Sequence, residues 1–412
     1  MYPKKTSIYL KLFVILSAIS LLWVTPLLAA PSKGGGQKGA PVSGGNASGT
    51  ATPAGNSGEQ PMAVQGESSI LGDLDSGTIL HEQDADLRRD PASLTKVMTL
   101  YLIFDALANG ELTMETKLPV SEKAWRVGGS KTFVKVGDMV LLEDLIRGIA
   151  VQSGNDACVV VAEHIGGSEK GFADLMNQKA KEMGMKGSRF QNASGLPDPE
   201  HYSTARDLFI LAKTITQRFP QHLHFFQEKH YKFNGILQYN RNRLLWRDPS
   251  ITGMKTGHTA DAGYCLIATS EKDGQRLGAV IMGAKSSKIR EEEALRLLRH
   301  GNRMFETVRL IETGTSVKQV RVWKGTEKMV DVTVDAPLVV TVSRKDRPSL
   351  GVGLRFQEPL IAPFKKGDQI GTFVVSLGEK ELLTRPAVTD RAIEKAGFFS
   401  SILDSVRMKM GW

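Results

Sequence analysis

The order in which residue periodicities succeed one another along the chain constrains its fold most. Two short β-type runs, 69–74 and 78–81, are joined by the turn signal Asp75-Ser76-Gly77. Helical spacing takes over after Asp90-Pro91-Ala92-Ser93, with apolar residues at Val97, Leu100, Tyr101 and Phe104. This spacing predicts a helix that starts at or just before Ser93. Further helical segments are expected at 141–149, 157–165, 172–183 and 205–217. Strand-like runs return at 264–268 and 277–282, followed by a Glu- and Arg-rich helix over about 289–305. Strands, then several helices, then antiparallel-type strands describe an α+β domain in which helices pack on an antiparallel sheet.

Beyond about Glu306 the texture changes to alternating runs at 330–334, 338–342, 351–356 and 369–377. Turn residues separate them, among them Lys366-Gly367-Asp368 and Gly378-Glu379, so a small all-β, sandwich-like domain is expected over 306–390. The last stretch changes again. Phe399, Ile402, Leu403, Val406 and Met410 share one helical face, while Ser400, Ser401, Asp404, Arg407 and Lys409 lie largely on the other. Such a segment is too short and too polar to span a bilayer. An amphipathic helix over 391–412 associating with a membrane surface is expected, set apart from the β domain by Pro386 and a polar stretch. Docking on its own domain is the alternative.

The N-terminus points the same way. Lys4 and Lys5 precede an apolar run over 12–24, then Pro26 and the small pair Ala29-Ala30, which together describe a secretory signal over 1–30. Leu27 or Leu28 spoils the usual cleavage pattern, which leaves an uncleaved signal-anchor as the alternative. Residues 31–66 are rich in Gly, Ser, Pro, Ala and Asn, a composition that buries too little apolar surface to fold and reads as a flexible linker. The catalytic body is then expected over 67–305.

Composition excludes more than it assigns. With 41% hydrophobic and 24% charged residues, the chain is neither disordered nor a multi-span membrane protein. Of the formal net charge of +9, three positive charges belong to the first thirty residues, which leaves a mild excess of +6 suited to an anionic envelope or lipid surface. No basic stripe interleaved with aromatics accompanies it, so no nucleic-acid partner is expected. The eight His are scattered and no Cys/His cluster has metal-ligand spacing, so no metal site is expected. Cys158 and Cys265 both sit in apolar contexts and read as small buried hydrophobes rather than a bridge.

Three short patterns carry the chemistry. Ser93-Leu94-Thr95-Lys96 puts a hydroxyl and an amine three residues apart, hence on one helix face. Serine is a weak nucleophile until a neighbour takes its proton, and lysine does so only when burial or a second cation lowers its pKa. Ser153-Gly154-Asn155 is a turn that presents a hydroxyl able to relay a proton and an amide able to bind substrate or hold a lysine. Lys255-Thr256-Gly257 enters a strand, where the amine and hydroxyl suit a carboxylate and the glycine admits a substrate backbone. Each pattern alone has a bland reading as a helix start, an N-cap turn or a strand end. In this order over one domain they form a set.

That set resembles the signature of penicillin-binding proteins and serine β-lactamases. The longer stretches Arg88-Arg89-Asp90-Pro91-Ala92-Ser93-Leu94-Thr95-Lys96, Ile146-Arg147-Gly148, Gln152-Ser153-Gly154-Asn155-Asp156-Ala157, Gly195-Leu196-Pro197, His201-Tyr202-Ser203-Thr204-Ala205-Arg206-Asp207 and Lys255-Thr256-Gly257-His258-Thr259 are similar to the low-molecular-mass D-alanyl-D-alanine carboxypeptidases, peptidase S11-like and penicillin-binding protein 5-like. The resemblance extends from about Ser69 to the C-terminus, since a β-rich second domain and an amphipathic tail are family features. Only the long Gly/Ser tether is unusual.

The resemblance implies a penicillin-binding, transpeptidase-like catalytic fold. It implies that Ser93 is the acyl-ester nucleophile, Lys96 the general base, Ser153 the proton relay, and that Asn155 binds the substrate amide and Lys96. Lys255, Thr256 and Gly257 would receive the terminal carboxylate, and the backbone N–H groups of Ser93 and His258 would form the oxyanion hole. The implied substrate is a peptidoglycan stem peptide ending in D-Ala-D-Ala, the implied inhibitors are β-lactams, and no cofactor is implied. The implied place is the periplasmic face of the cytoplasmic membrane, held peripherally. A D,D-endopeptidase, a serine β-lactamase of the same fold and, more distantly, a non-catalytic envelope-binding protein are the competing readings. Against the lactamase, the loop before the third motif has Glu200 beside His201 but no Glu-x-x-x-Asn pattern.

Overall fold

The computed structural model describes residues 62–356 and 359–410. The expected signal at 1–30 lies outside the described residues, as do all but the last few positions of the expected linker and the final two residues of the tail.

Five antiparallel strands form the central sheet in the order Ile79–Gln83, Ser68–Asp73, Gln275–Ala284, Gly263–Lys272, Ile251–Thr259. The first strand therefore pairs with one that follows it by some two hundred residues, Ile70 lying opposite Val280, and the helices between are looped out from this closure. Leu277, Ala279, Val280, Ile281 and Met282 are buried without alternation because both sheet faces are covered. Helix Ser287–Met304 covers one face, where Gly301 sits so close that a Cβ would meet Leu277 Cδ1 at 2.6 Å. Helix Ala205–Arg218 covers the other, with Phe209 laid over Gly72, whose Cβ would come within 2.4 Å of the ring.

The helix expected to begin near Ser93 is a 3-10 turn, Ala92–Thr95, running into the α-helix Lys96–Ala108. Every residue from Lys96 to Ala106 is buried, so this helix runs through the interior and has no polar stripe. Beside it lie the π-helical turn Gly148–Gln152 and the helices Asn155–Gly166 and Glu169–Met183. The sequence-based helices at 141–149 and 157–165 thus overlap real ones, with their ends shifted by the intervening turn.

The C-terminal domain contains the four expected strands and three that the sequence pattern does not disclose: Phe305–Ile311, Lys318–Arg321 and Lys380–Thr389. Its five-stranded sheet runs Lys318–Arg321, Met329–Thr333, Lys380–Thr389, Gln369–Leu377, Leu350–Phe356, and a separate pair joins Phe305–Ile311 to Leu338–Ser343. Val322, Val330, Leu338, Val340, Phe373 and Val375 make the core between them. Pro386 does not separate this domain from the tail, as the sequence reading has it. It lies inside the strand Lys380–Thr389, opposite Thr372. The ladder on its other side begins only at Val388, so no partner strand needs the N–H that proline lacks. The domain grips the turn after the first central strand: Thr307 Oγ1 donates to Asp73, Arg309 pairs with Asp75, and Ser76 Oγ is 2.7 Å from Thr341 Oγ1.

Helix Phe398–Met410 docks with the opposite side from the one a globular helix uses. Its one buried residue is Asp404, whose carboxylate accepts from Lys324 N–H at 2.7 Å and Lys328 Nζ at 2.8 Å. Phe398, Phe399, Ile402, Leu403, Val406 and Met410 are all exposed, Phe399 at 85%.

Candidate active site

Ser93 lies in the 3-10 turn and Lys96 at the first position of the α-helix. In a 3-10 turn side chains three apart eclipse, so the two point the same way, and Lys96 Nζ sits 3.0 Å from Ser93 Oγ. The amine has two further partners, Asn155 Oδ1 at 2.7 Å and the Ser194 carbonyl at 2.5 Å. Lys96 is fully buried. Burial pushes its pKa down to about 8, and the Arg241 cation pushes the same way.

Asn155 opens its helix from a turn in which Ser153 is buried in the left-handed region at φ 67°, unusual for a residue with a Cβ. The Asn155 amide is fixed at both ends, since Nδ2 donates to the Gly128 carbonyl at 2.7 Å while Oδ1 accepts from Lys96. Its backbone N–H donates to Ser130 O at 2.7 Å. Asp156, fully buried, holds the neighbouring segment: Oδ1 accepts from the N–H of Thr132 and Ala157, and Oδ2 from those of Phe133 and Val134.

The third wall is the strand Ile251–Thr259. At Gly257 a Cβ would come within 3.2 Å of the Ser93 nitrogen and 3.0 Å of Pro91 O, so any side chain there would press the strand away from the nucleophile turn. Lys255 is buried, and its Nζ donates to the Thr256 carbonyl at 3.0 Å. Burial, then the cations of Lys96 and Arg241, hold its pKa well below that of an ordinary lysine. Thr256 is buried beside it, whereas His258 is exposed with its ring against Tyr264. Asp90 ties this strand to the turn, accepting from Ala92 N–H at 2.7 Å and Thr259 Oγ1 at 2.8 Å.

The structure thus brings Ser93, Lys96 and Asn155 into one hydrogen-bonded group, with Ser153 two residues from Asn155 and Gly257 packed on Ser93. Lys255 is close enough for its charge and that of Lys96 to interact. Four contributors escape the sequence reading: the Ser194 carbonyl, Arg241, Asp156 and Asp90. A carbonyl is supplied by any residue and leaves no trace in side-chain pattern. Asp90 and Asp156 do fall in the stretches quoted above, although nothing in them tells a bracing carboxylate from a surface one. Cys158 and Cys265 are both free and buried, and burial pushes their thiols up to about 12 and about 11.

An antiparallel sheet flanked by helices, with a Ser–Lys pair at the start of a buried helix, is the architecture of the serine acyl-transfer enzymes that bind penicillin. Residues 55–286 match the Peptidase_S11 family, D-alanyl-D-alanine carboxypeptidase, and residues 305–395 match the penicillin-binding protein 5 C-terminal domain. The chain belongs to the D-alanyl-D-alanine carboxypeptidase family and is a peptidase. It is 39% identical over 355 residues to D-alanyl-D-alanine carboxypeptidase DacC of Escherichia coli (strain K12), covering 84% of this chain and 89% of that one. Among solved structures, penicillin binding protein 5 from Haemophilus influenzae superposes with a TM-score of 0.76 at 34% identity, over 82% of this chain and all of that one. Penicillin-Binding Protein D2 from Listeria monocytogenes, in an ampicillin-bound form, superposes with a TM-score of 0.55 at 28% identity, over 59% of this chain and 100% of that one.

Proposed function

We propose that the enzyme removes the last D-alanine of a peptidoglycan stem pentapeptide through an acyl-enzyme on Ser93. The observation that carries this reading is the set of three oxygens around Lys96 Nζ: Ser93 Oγ, Asn155 Oδ1 and Ser194 O. A neutral amine has two N–H groups and one lone pair. In the neutral amine, Asn155 Oδ1 and Ser194 O take the two N–H groups, which leaves the lone pair to accept from the Ser93 hydroxyl 3.0 Å away. Lys96 then takes the Ser93 proton as Oγ attacks the carbonyl between the two alanines, and Ser153 passes it to the departing amine. The N–H groups of Ser93 and His258 receive the developing oxyanion. Water completes the cycle by cleaving the ester.

Two buried amines that interact through their charges each disfavour the charged form of the other. A substrate carboxylate arriving at Lys255 and Thr256 favours the charged form of Lys255. That charge in turn holds Lys96 neutral, the form a base requires. β-Lactams fit the same site, the carboxylate on Lys255 and the ring carbonyl at Ser93. Glu200, the carboxylate beside His201 in the preceding loop, is exposed and paired with Arg189 at 2.9 Å, an arrangement that does not suit a deacylating base. Incubation with a pentapeptide ending in D-Ala-D-Ala is expected to release one alanine, read by mass spectrometry, while nitrocefin is turned over slowly. Rapid nitrocefin turnover, or cleavage of cross-links without loss of alanine, would replace this reading with the lactamase or the endopeptidase.

The exposed apolar face of Phe398–Met410 supports peripheral attachment to a lipid surface, on the periplasmic side that an export signal implies. Deleting 395–412 is expected to move the mature protein from the membrane to the soluble fraction with hydrolysis of small peptides unchanged. Membrane retention of that shortened form in fractionation would count against the helix as the anchor.

A further inference from the structure

His201 is a buried histidine that the mechanism leaves unused. It is 3% exposed and ends a loop closed by the backbone bridge between Arg189 and Tyr202. Its Nδ1 accepts from the Gln191 N–H at 3.2 Å, so in the neutral ring the proton lies on Nε2. Nε2 is 2.9 Å from Thr95 Oγ1 and donates to it. Burial, which pushes this imidazole down to about 4, keeps that neutral form dominant at physiological pH.

Thr95 is fully buried and stands between Ser93 and Lys96 in the sequence. The same loop meets the catalytic helix at three more points. Thr99 Oγ1 donates to Ala193 O at 2.6 Å, and Lys96 Nζ donates to Ser194 O. Gly195, at φ 78°, lies so close that a Cβ would overlap Ala92 O. Asn192 Oδ1 accepts from the N–H groups of Ser194, Gly195 and Leu196, which fixes the backbone after the crucial carbonyl. None of these contacts reaches the far end of the loop except the imidazole, which bridges its first residues, through Gln191, to the helix, through Thr95.

We propose that His201 is a positioning residue for Lys96: by joining the Gln191 amide to the Thr95 hydroxyl, it holds the loop so that the Ser194 carbonyl orients the lysine amine toward Ser93. The inference rests on the reading of Lys96 as base. Losing a buried donor and acceptor together leaves two polar groups unpaired, and the loop then admits water to an amine whose pKa is held down by burial.

Three variants test it, with penicillin acylation of full-length protein followed by stopped-flow across pH. His201→Leu is expected to slow acylation about tenfold or more, with the non-covalent binding constant unchanged and the acid limb of the rate profile moved to higher pH. His201→Gln carries both a donor and an acceptor and is expected to restore the rate to within about threefold. Thr95→Val, which removes only the hydroxyl, is expected to slow acylation as His201→Leu does, and stands in for it should leucine prevent folding. Hydrogen exchange of the 190–202 amides reads the clamp whether or not Ser93 is acylated, and is expected to accelerate in Thr95→Val and His201→Leu. Wild-type exchange or a wild-type acylation profile in these two variants would overturn the proposal, as would glutamine proving as slow as leucine.

Discussion

Lys96→Met is expected to lower the rate of Ser93 acylation by ~1,000-fold or more, the range a general base contributes, while the protein still folds. Methionine matches the lysine stem in length and has no group to take a proton. Asn155 Oδ1 and Ser194 O each lose a donor, at a cost of roughly 1–3 kcal/mol apiece. Against this stands the removal of an amine whose charged form the site already disfavours, as its pKa of about 8 records. The two effects oppose each other, so the melting temperature should move by only a few degrees. Fluorescent penicillin labelling with a parallel thermal melt checks both halves. Normal labelling of the methionine variant would remove Lys96 from the mechanism.

The largest loss of stability near the site is expected from Asp156→Ala. This carboxylate takes four backbone N–H groups, three of them from Thr132, Phe133 and Val134. Alanine leaves those three without a partner, those of Thr132 and Val134 buried and that of Phe133 partly so, which amounts to about 3–5 kcal/mol in all. A fall in melting temperature of about 10 °C follows for a domain of this size. Activity should fall as well, because the segment so released includes Ser130, whose carbonyl holds the Asn155 backbone. The exposed Asp174 makes the control, since its replacement by alanine should be nearly neutral. A wild-type melt for Asp156→Ala would show that the segment is held by something else.

How much of this was legible in the sequence depends on which groups do the holding. Ser93 and Lys96 were legible because their three-residue spacing at a helix start recurs with two further motifs in a recognisable order. Gly257 was legible as a glycine that admits a backbone, but the backbone the structure puts against it is that of Pro91 and Ser93. The Ser194 carbonyl, which takes one of the two N–H groups of the amine, has no side-chain signature. Arg241 follows a hairpin, His230–Phe233 with Ile236–Tyr239, that the periodicity reading omits. Its turn is Asn234-Gly235 with both residues at positive φ, a sequence cue that announces such a hairpin. In the second domain, Lys380–Thr389 escapes because Pro386 reads as a break, and proline is tolerated there because the strand on its other side pairs only from Val388 onward. The amphipathic pattern of the tail was plain. That Asp404 would be its buried residue was not, because its partners, Lys324 N–H and Lys328, belong to a turn some 80 positions earlier.

Catalysis here requires a neutral Lys96 amine to draw the proton from Ser93, and the pH dependence of Ser93 acylation, followed by intact-protein mass spectrometry with the adduct mapped by peptide digestion, tests this most directly. A base is competent when unprotonated, so the rate should climb with pH and level off above a midpoint near the pKa of about 8 that burial imposes on Lys96. The adduct should map to Ser93 alone. A rate independent of pH across that range, or an adduct on any other residue, would contradict it.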